Sequence, residues 1–69
     1  MTNYHHPLTF EQKVDVVLEG IFLNTETRKD ILNKIIDEVE HEIKLHKLST
    51  DIGVIQNIVI LVLYRRIMR

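Results

Sequence analysis

The segment HEIKLH, from His41 to His46, contains the residues best suited to metal chemistry. Zinc protease helices carry two histidines four residues apart, so that both side chains reach the same metal ion. Here the two histidines are five residues apart, which separates them by ~140° around a helix. The spacing therefore argues against a zinc protease site.

A second metal-like spacing is formed by Glu38 and His41, which follow the Glu-x-x-His pattern of carboxylate-bridged metal bundles. The expected helix turns His41 towards solvent, and no other inward glutamate completes such a site. We therefore interpret the two residues as a solvated charge pair. Since the sequence also contains no Walker loop, nucleophile elbow or paired carboxylates, we predict a protein with no enzymatic activity and no cofactor.

The composition limits the kinds of site and binding partner that the chain can have. No cysteine is present among the 69 residues, which excludes disulfides, thiolate metal sites and a cysteine nucleophile and makes the reducing cytoplasm the expected location. Nine Lys and Arg against ten Asp and Glu give a formal net charge of -1. Such a balance provides no overall attraction to nucleic acid or anionic lipid, so binding of that kind would have to be local.

His46 differs from His41 because it continues the apolar stripe of the second expected helix. One interpretation is a half-buried histidine near the end of that helix. The other is a pH-sensitive contact, since an imidazole at an interface changes charge at about pH 6.5. The sequence supports either interpretation.

Basic residues concentrate near the ends of the last two expected helices. They are Lys44, Lys47, Arg65, Arg66 and Arg69. Such a cluster can contact phosphate groups, or it can form solvated helix ends that complement the helix dipole. The third helix is too apolar to enter a DNA groove as a recognition helix, so we prefer the second interpretation.

One proline and two glycines in 69 residues indicate helices joined by short connections. The first helix is expected from about Phe10 to Leu23, with Thr9 as its N-cap and Gln12 completing a capping box. Val16 and Leu23 form a small apolar strip away from its main apolar face. A helix packed against a single core does not need that strip.

The second helix is expected to start with Asn24 or Thr25 as its cap and to continue to about Lys47. It has one apolar stripe and an opposite charged side, as in an ordinary amphipathic helix. The segment LSTDIG then provides a break with three possible capping residues, and the last helix follows it.

The last segment, from Ile52 to Tyr64, is apolar on nearly all sides. A membrane span needs about 20 apolar residues. This segment is only 13 residues long and is interrupted by Gly53, Gln56 and Asn57. A lone strand would have no partner within the chain. As a helix, the segment is covered over about half of its surface by the other two helices, which leaves about four or five large side chains in water.

A second copy of the chain is the simplest cover for those side chains. We therefore predict an all-α, three-helix protomer that forms an intertwined homodimer, with residues 1–8 as a tail and residues 9–69 as a single domain. The residues expected in the dimer interface are Val16, Leu23, Ile55, Ile58, Val59 and Val62.

The chain from about Leu18 to Arg65 resembles the small biofilm and acid-resistance regulators of the AriR type. The resemblance lies in LEGIFLNTET at the end of the first helix, KDILNKIIDEVE in the second and DIGVIQNIVILVLYRR in the third. It implies a dimeric all-α adaptor with a role in the stress response. Such an adaptor modulates a two-component phosphorelay by binding a response regulator.

Two other functions fit the same features. The chain is also compatible with a phage or mobile-element protein that inhibits a host protein. A third interpretation is a transcription modulator that associates with DNA through its basic helix ends. The expected partners are therefore a second copy and another protein, with nucleic acid as a weaker possibility and no membrane association.

Overall fold

The computed structural model describes residues 8–68 and consists of three α-helices. They are α1 (Phe10–Glu19), α2 (Thr25–Leu45) and α3 (Ile52–Ile67). No strand occurs in this part of the chain, so the prediction of an all-α fold with three helices is confirmed. Nearly all of the expected N-terminal tail lies outside the described residues, as does Arg69.

Helix α1 begins with the capping box expected from the sequence. The backbone N–H of Gln12 donates to Thr9 Oγ1 at 3.1 Å, and the backbone N–H of Thr9 donates to Gln12 Oε1 at 2.9 Å. The helix ends at Glu19, so the expected end near Leu23 was wrong. Gly20 is a weak helix former, and the chain turns there with the N–H groups of Ile21 and Phe22 both donating to the Leu18 carbonyl.

Helix α2 is capped at its start by Asn24, whose Oδ1 accepts from the backbone N–H of Thr27 at 2.8 Å. Its end at Leu45 comes two residues before the expected one. Lys47 adopts a left-handed backbone with φ of 54°, and the N–H of Leu48 donates to the Ile43 carbonyl at 2.9 Å. This is the Schellman ending, in which lysine stands where glycine is the usual residue.

Helix α3 starts after Asp51, whose extended backbone makes it the N-cap. The Asp51 side chain makes no capping hydrogen bond to the helix; it accepts from Ser49 Oγ at 3.3 Å instead. Its carboxylate still lies beside the positive end of the helix dipole. The sequence offered Ser49, Thr50 and Asp51 as possible caps, and the structure selects Asp51 without a capping hydrogen bond.

The hydrophobic core lies between the three helices, each of which contacts the other two. Its buried apolar side chains are Val14, Val17, Leu18, Leu32, Ile35, Val39, Ile43, Ile55, Ile58, Val59 and Val62. All three helices supply side chains to this core, so each helix buries apolar surface against the other two.

The two ends of the molecule differ in their contacts. At one end the start of α1 meets the connection between α2 and α3, where Lys13 Nζ donates to the Thr50 carbonyl at 2.8 Å. At the other end the connection between α1 and α2, residues 20–24, lies beside the last turns of α3, where Ile21 is close to Ile60 and Ile67. The candidate binding surface lies at this second end.

Candidate protein-binding surface

The last turns of α3 expose apolar side chains on the side that faces away from the core. Ile60, Tyr64 and Ile67 follow one another at helical spacing and are 49%, 60% and 79% exposed. Ile21, from the connection between α1 and α2, lies beside them and is also exposed. We call these four residues the α3 apolar face.

The α3 apolar face is concave. Its four residues and the half-buried Leu63 line a depression of about 360 Å³. A second depression of about 290 Å³ shares Leu63 and Ile67 with the first and extends between α2 and α3 to Phe22 and Ile31. Ile67 therefore stands between two apolar depressions, which is a shape suited to receiving side chains of another molecule.

The sequence of α3 explains why this face stays open. Successive residues turn by about 100° around a helix, so a helix that is apolar nearly all round can cover only one side against two neighbours. Large apolar side chains of α3 remain exposed, as expected; they are Ile52, Ile60, Leu61, Tyr64 and Ile67.

The residues predicted for the dimer interface occupy two different environments. Four of them, Ile55, Ile58, Val59 and Val62, are buried in the core of the single chain. In this arrangement they offer no surface to a second copy, because α1 and α2 already cover them. The surface of α3 that is open to a second copy is the opposite one, which carries Gly53, Asn57, Ile60, Tyr64 and Ile67.

The other two residues predicted for that interface are exposed, but they do not share a helix. Val16 lies on α1 and is 41% exposed. Leu23 lies beyond the end of α1, in the connection to α2, and is 96% exposed. Because α1 ends at Glu19, the expected strip of Val16 and Leu23 along one helix does not form.

A buried carboxylate links α2 to α3. Glu42 is 7% exposed, and its Oε2 accepts from Arg65 Nη1 at 3.0 Å. Its Oε1 lies 3.5 Å from Nε2 of His46. The hydrogen bond from Arg65 lowers the pKa of Glu42 below its ordinary value of 4.5, against the opposing effect of desolvation.

Our sequence prediction did not include Glu42, although a signal for it was present. Ile35, Val39, Glu42 and His46 follow at spacings of four, three and four residues, so Glu42 continues the buried stripe of α2. A carboxylate at such a position requires a cationic partner. His46, which was expected to be half-buried or at an interface, has a side chain that is 58% exposed and contacts Glu42 of its own chain.

Most of the predicted basic residues are engaged in contacts within the chain. Arg65 pairs with Glu42, as described above. Arg66 Nη2 donates to the Lys34 carbonyl at 2.9 Å and to Glu38 Oε1 at 3.4 Å. Lys44 Nζ lies 3.4 Å from Glu40 Oε2. These pairings reduce the positive charge that the helix ends present to an approaching phosphate group.

Two further features of the structure concern metals and membranes. Within residues 8–68, no three His, Asp or Glu side chains are placed to hold a metal ion together. His41 is exposed on α2. No helix in the same part of the chain combines the length and the apolar character required to cross a membrane.

The fold defines the class of the protein as a small all-α domain of three helices with one open apolar face. No protein family, no curated protein and no solved structure matches the chain. The function therefore has to be inferred from the described surface and from the resemblance noted in the sequence.

Proposed function

We propose that the protein is a small, non-enzymatic regulatory adaptor that works as a homodimer and binds another protein. The resemblance to the AriR-type regulators supports a response regulator of a two-component phosphorelay as that protein. The adaptor role requires surfaces for binding rather than a reaction site.

The observation that carries the proposal is the α3 apolar face. Burial of a large apolar side chain contributes ~1.5 to 3 kcal/mol, which is absent when the side chain stays in water. Three such exposed side chains of α3 lie together at one end of the molecule. Clustered exposed apolar residues are typical of protein-binding surfaces. A chain that only had to fold would gain by replacing them with polar residues.

The pairing of the basic residues supports a protein partner over DNA. Phosphate contacts need cationic side chains that face solvent. Arg65 and Arg66 are partly exposed, but each is paired with a carboxylate of α2, Glu42 and Glu38 respectively, which reduces the positive charge available to a phosphate group. The part of α3 that contains Ile60 and Tyr64 also has no charge, since no charged residue occurs from Ile52 to Tyr64.

The proposal is tested by capture from a lysate of the source organism with the immobilised full-length chain. We expect a response regulator to be enriched and identified by mass spectrometry. The exposed charges of α2 are natural contacts for a partner, so reversing two of them, Asp37→Lys with Lys44→Glu, should abolish capture while leaving the net charge unchanged.

The control is a second double reversal, Glu11→Lys with Lys29→Glu, which changes exposed charges at the start of α1 and in the first turns of α2, about two and about four turns before Asp37 and Lys44. It should still capture the partner. Capture of no protein above background would contradict the adaptor function. Recovery that depends on nucleic acid and falls steeply with salt would support the DNA-associated alternative instead.

A further inference from the structure

We infer that the α3 apolar face docks against the same face of a second copy, with the two α3 helices antiparallel about a two-fold axis near Tyr64. The inference rests on the proposed homodimer and gives it a location. It assigns the contact to Ile60, Tyr64, Ile67 and Ile21, none of which is needed to close the core of the single chain.

The spacing of the face suits a copy of itself. Ile60 and Ile67 lie two helical turns apart on one side of α3, on either side of Tyr64. If α3 helices run antiparallel with the axis near Tyr64, Ile67 of one copy lies opposite Ile60 of the other. A two-fold interface requires this self-complementary arrangement, in which each contact occurs twice.

The shape of the α3 apolar face also favours a second copy as the partner. Ile67 projects from the surface with 79% of its area exposed, while Ile21, Ile60 and Tyr64 line the depression beside it. Each copy thus offers both a projecting apolar side chain and a depression to receive one. Helix-in-groove contacts use apolar anchors at this helical spacing.

The α3 apolar face carries no charged side chain of its own. The exposed side of α3 before Ile60 carries Gly53, Gln56 and Asn57, which have no charge. The first charged residues, Arg65 and Arg66, pair with α2. The face therefore has no charge that would select an acidic or basic partner, and none that would repel a second copy.

A dimer of standard size would cover a sizeable part of this small chain. A standard stable interface takes ~800 Å² from each partner, which is about a sixth of the 5053 Å² of accessible surface of this chain. A contact of that size would also include exposed neighbours of the face along the chain, Leu61 and Met68.

The test measures the mass of the full-length chain by sedimentation equilibrium at micromolar concentrations. We expect the unchanged chain to be a dimer, and Ile67→Lys to weaken it by at least about tenfold, because an ammonium group would be buried opposite Ile60 without a partner. Leu45→Lys is the matched control, since Leu45 is 60% exposed on α2, outside this face. The control should remain a dimer.

Two further variants test the register. Ile60→Glu alone should also weaken the dimer, whereas Ile60→Glu combined with Ile67→Lys should restore it, because the antiparallel register places the new carboxylate opposite the new ammonium group. The chain contains no cysteine, so Tyr64→Cys should yield a disulfide-linked dimer on oxidation, while Leu45→Cys should not.

A folded monomer of the unchanged chain would overturn the inference, as would a dimer that Leu45→Lys weakens as much as Ile67→Lys does. If Ile67→Lys fails to fold, as judged by its helix signal in circular dichroism, cross-linking of Tyr64→Cys decides between the outcomes. Capture of a response regulator is scored separately from mass. A chain that stays monomeric but captures its partner refutes the homodimer and its interface while leaving the binding of another protein intact, and a dimer that captures nothing refutes the adaptor alone.

Discussion

Glu42 is a carboxylate placed in a core where apolar side chains would pack more simply. Among residues 8–68 it is the charged residue that the fold buries. Desolvating a carboxylate is costly unless it is paired and hydrogen-bonded, and Arg65 supplies that pairing from α3 at 3.0 Å. The pair fixes how the end of α3 lies on α2, because either group alone would be left without its partner.

We expect Glu42→Gln to lower the free energy of unfolding at pH 7, since Arg65 then loses its anionic acceptor. Because the pKa of Glu42 is lowered in the folded chain, its stabilising contribution is present above pH 4.5 and is lost as the pH falls through the lowered folded pKa. The free energy of unfolding, measured by urea denaturation between pH 7 and pH 3, should therefore fall less steeply in Glu42→Gln than in the unchanged chain.

Glu40→Gln is the matched control for this prediction. Glu40 pairs with Lys44 on the same helix, and both side chains are largely exposed. Exposed pairs of this kind contribute little, so the control should retain the stability and the pH profile of the unchanged chain. Equal effects of the two substitutions would show that the burial of Glu42 does not matter.

At the scale of the elements, the helix caps show how similar sequence signals lead to different contacts. Asn24 and Asp51 both precede a helix with an extended backbone. Asn24 accepts a hydrogen bond from Thr27, whereas the Asp51 side chain makes none to α3. The hydroxyl of Ser49 occupies one of its oxygens instead.

This difference predicts unequal costs for the same type of substitution. Asn24→Ala should lower the free energy of unfolding by ~1 kcal/mol, the usual value of a capping hydrogen bond. Asp51→Ala should cost less, since it removes no capping hydrogen bond, only the interaction of the carboxylate with the helix dipole, ~0.3 to 1 kcal/mol, and the long, exposed hydrogen bond from Ser49. Urea denaturation of both variants at pH 7 measures the difference, and a larger loss in Asp51→Ala would contradict it.

The connection between α1 and α2 is a second case at this scale. Leu23 was assigned to the first helix because its apolar side chain keeps helical spacing with Val16. Gly20 ends the helix first, and the N–H groups of Ile21 and Phe22 both turn back to the Leu18 carbonyl. The consequence is that Ile21 reaches the end of α3, where it completes the α3 apolar face.

At the scale of the whole molecule, stability depends on one core shared by three helices. Leu18 is fully buried in it, while Leu23 is 96% exposed only five residues later. The chain of 69 residues is small, and a domain of this size has a limited reserve of stability. Loss of a single large core side chain should therefore affect all three helices together.

Leu18→Ala should cost ~2 to 5 kcal/mol, since it removes buried methyl groups and leaves a cavity. Leu23→Ala makes the same chemical change at an exposed site and should change the free energy of unfolding by less than ~0.5 kcal/mol. Thermal unfolding followed by circular dichroism, with one transition for all three helices, measures both. A large loss in Leu23→Ala would instead indicate that Leu23 is buried against a second copy.

The sequence alone determined the number of helices, the capping box at Thr9, the two or three neighbouring residues among which each other cap falls, and the excess of apolar surface on α3. These features depend on local chemistry: capping, glycine and helical periodicity act over a few neighbouring residues. The same reasoning placed the end of α1 four residues too late. Gly20 disfavours a helix only weakly, and α1 ends there because Ile21 and Phe22 turn back and pack beyond it.

Only the tertiary structure decided which side of α3 is covered. A helix that is apolar on nearly all sides has no periodic signal that distinguishes core from surface, so the sequence assigned Ile55 and Val59 to an interface that α1 and α2 already fill. It also could not join Glu42 to Arg65, which lie 23 residues apart. Both outcomes depend on how the three helices pack, and that packing brings together residues that local chemistry does not connect.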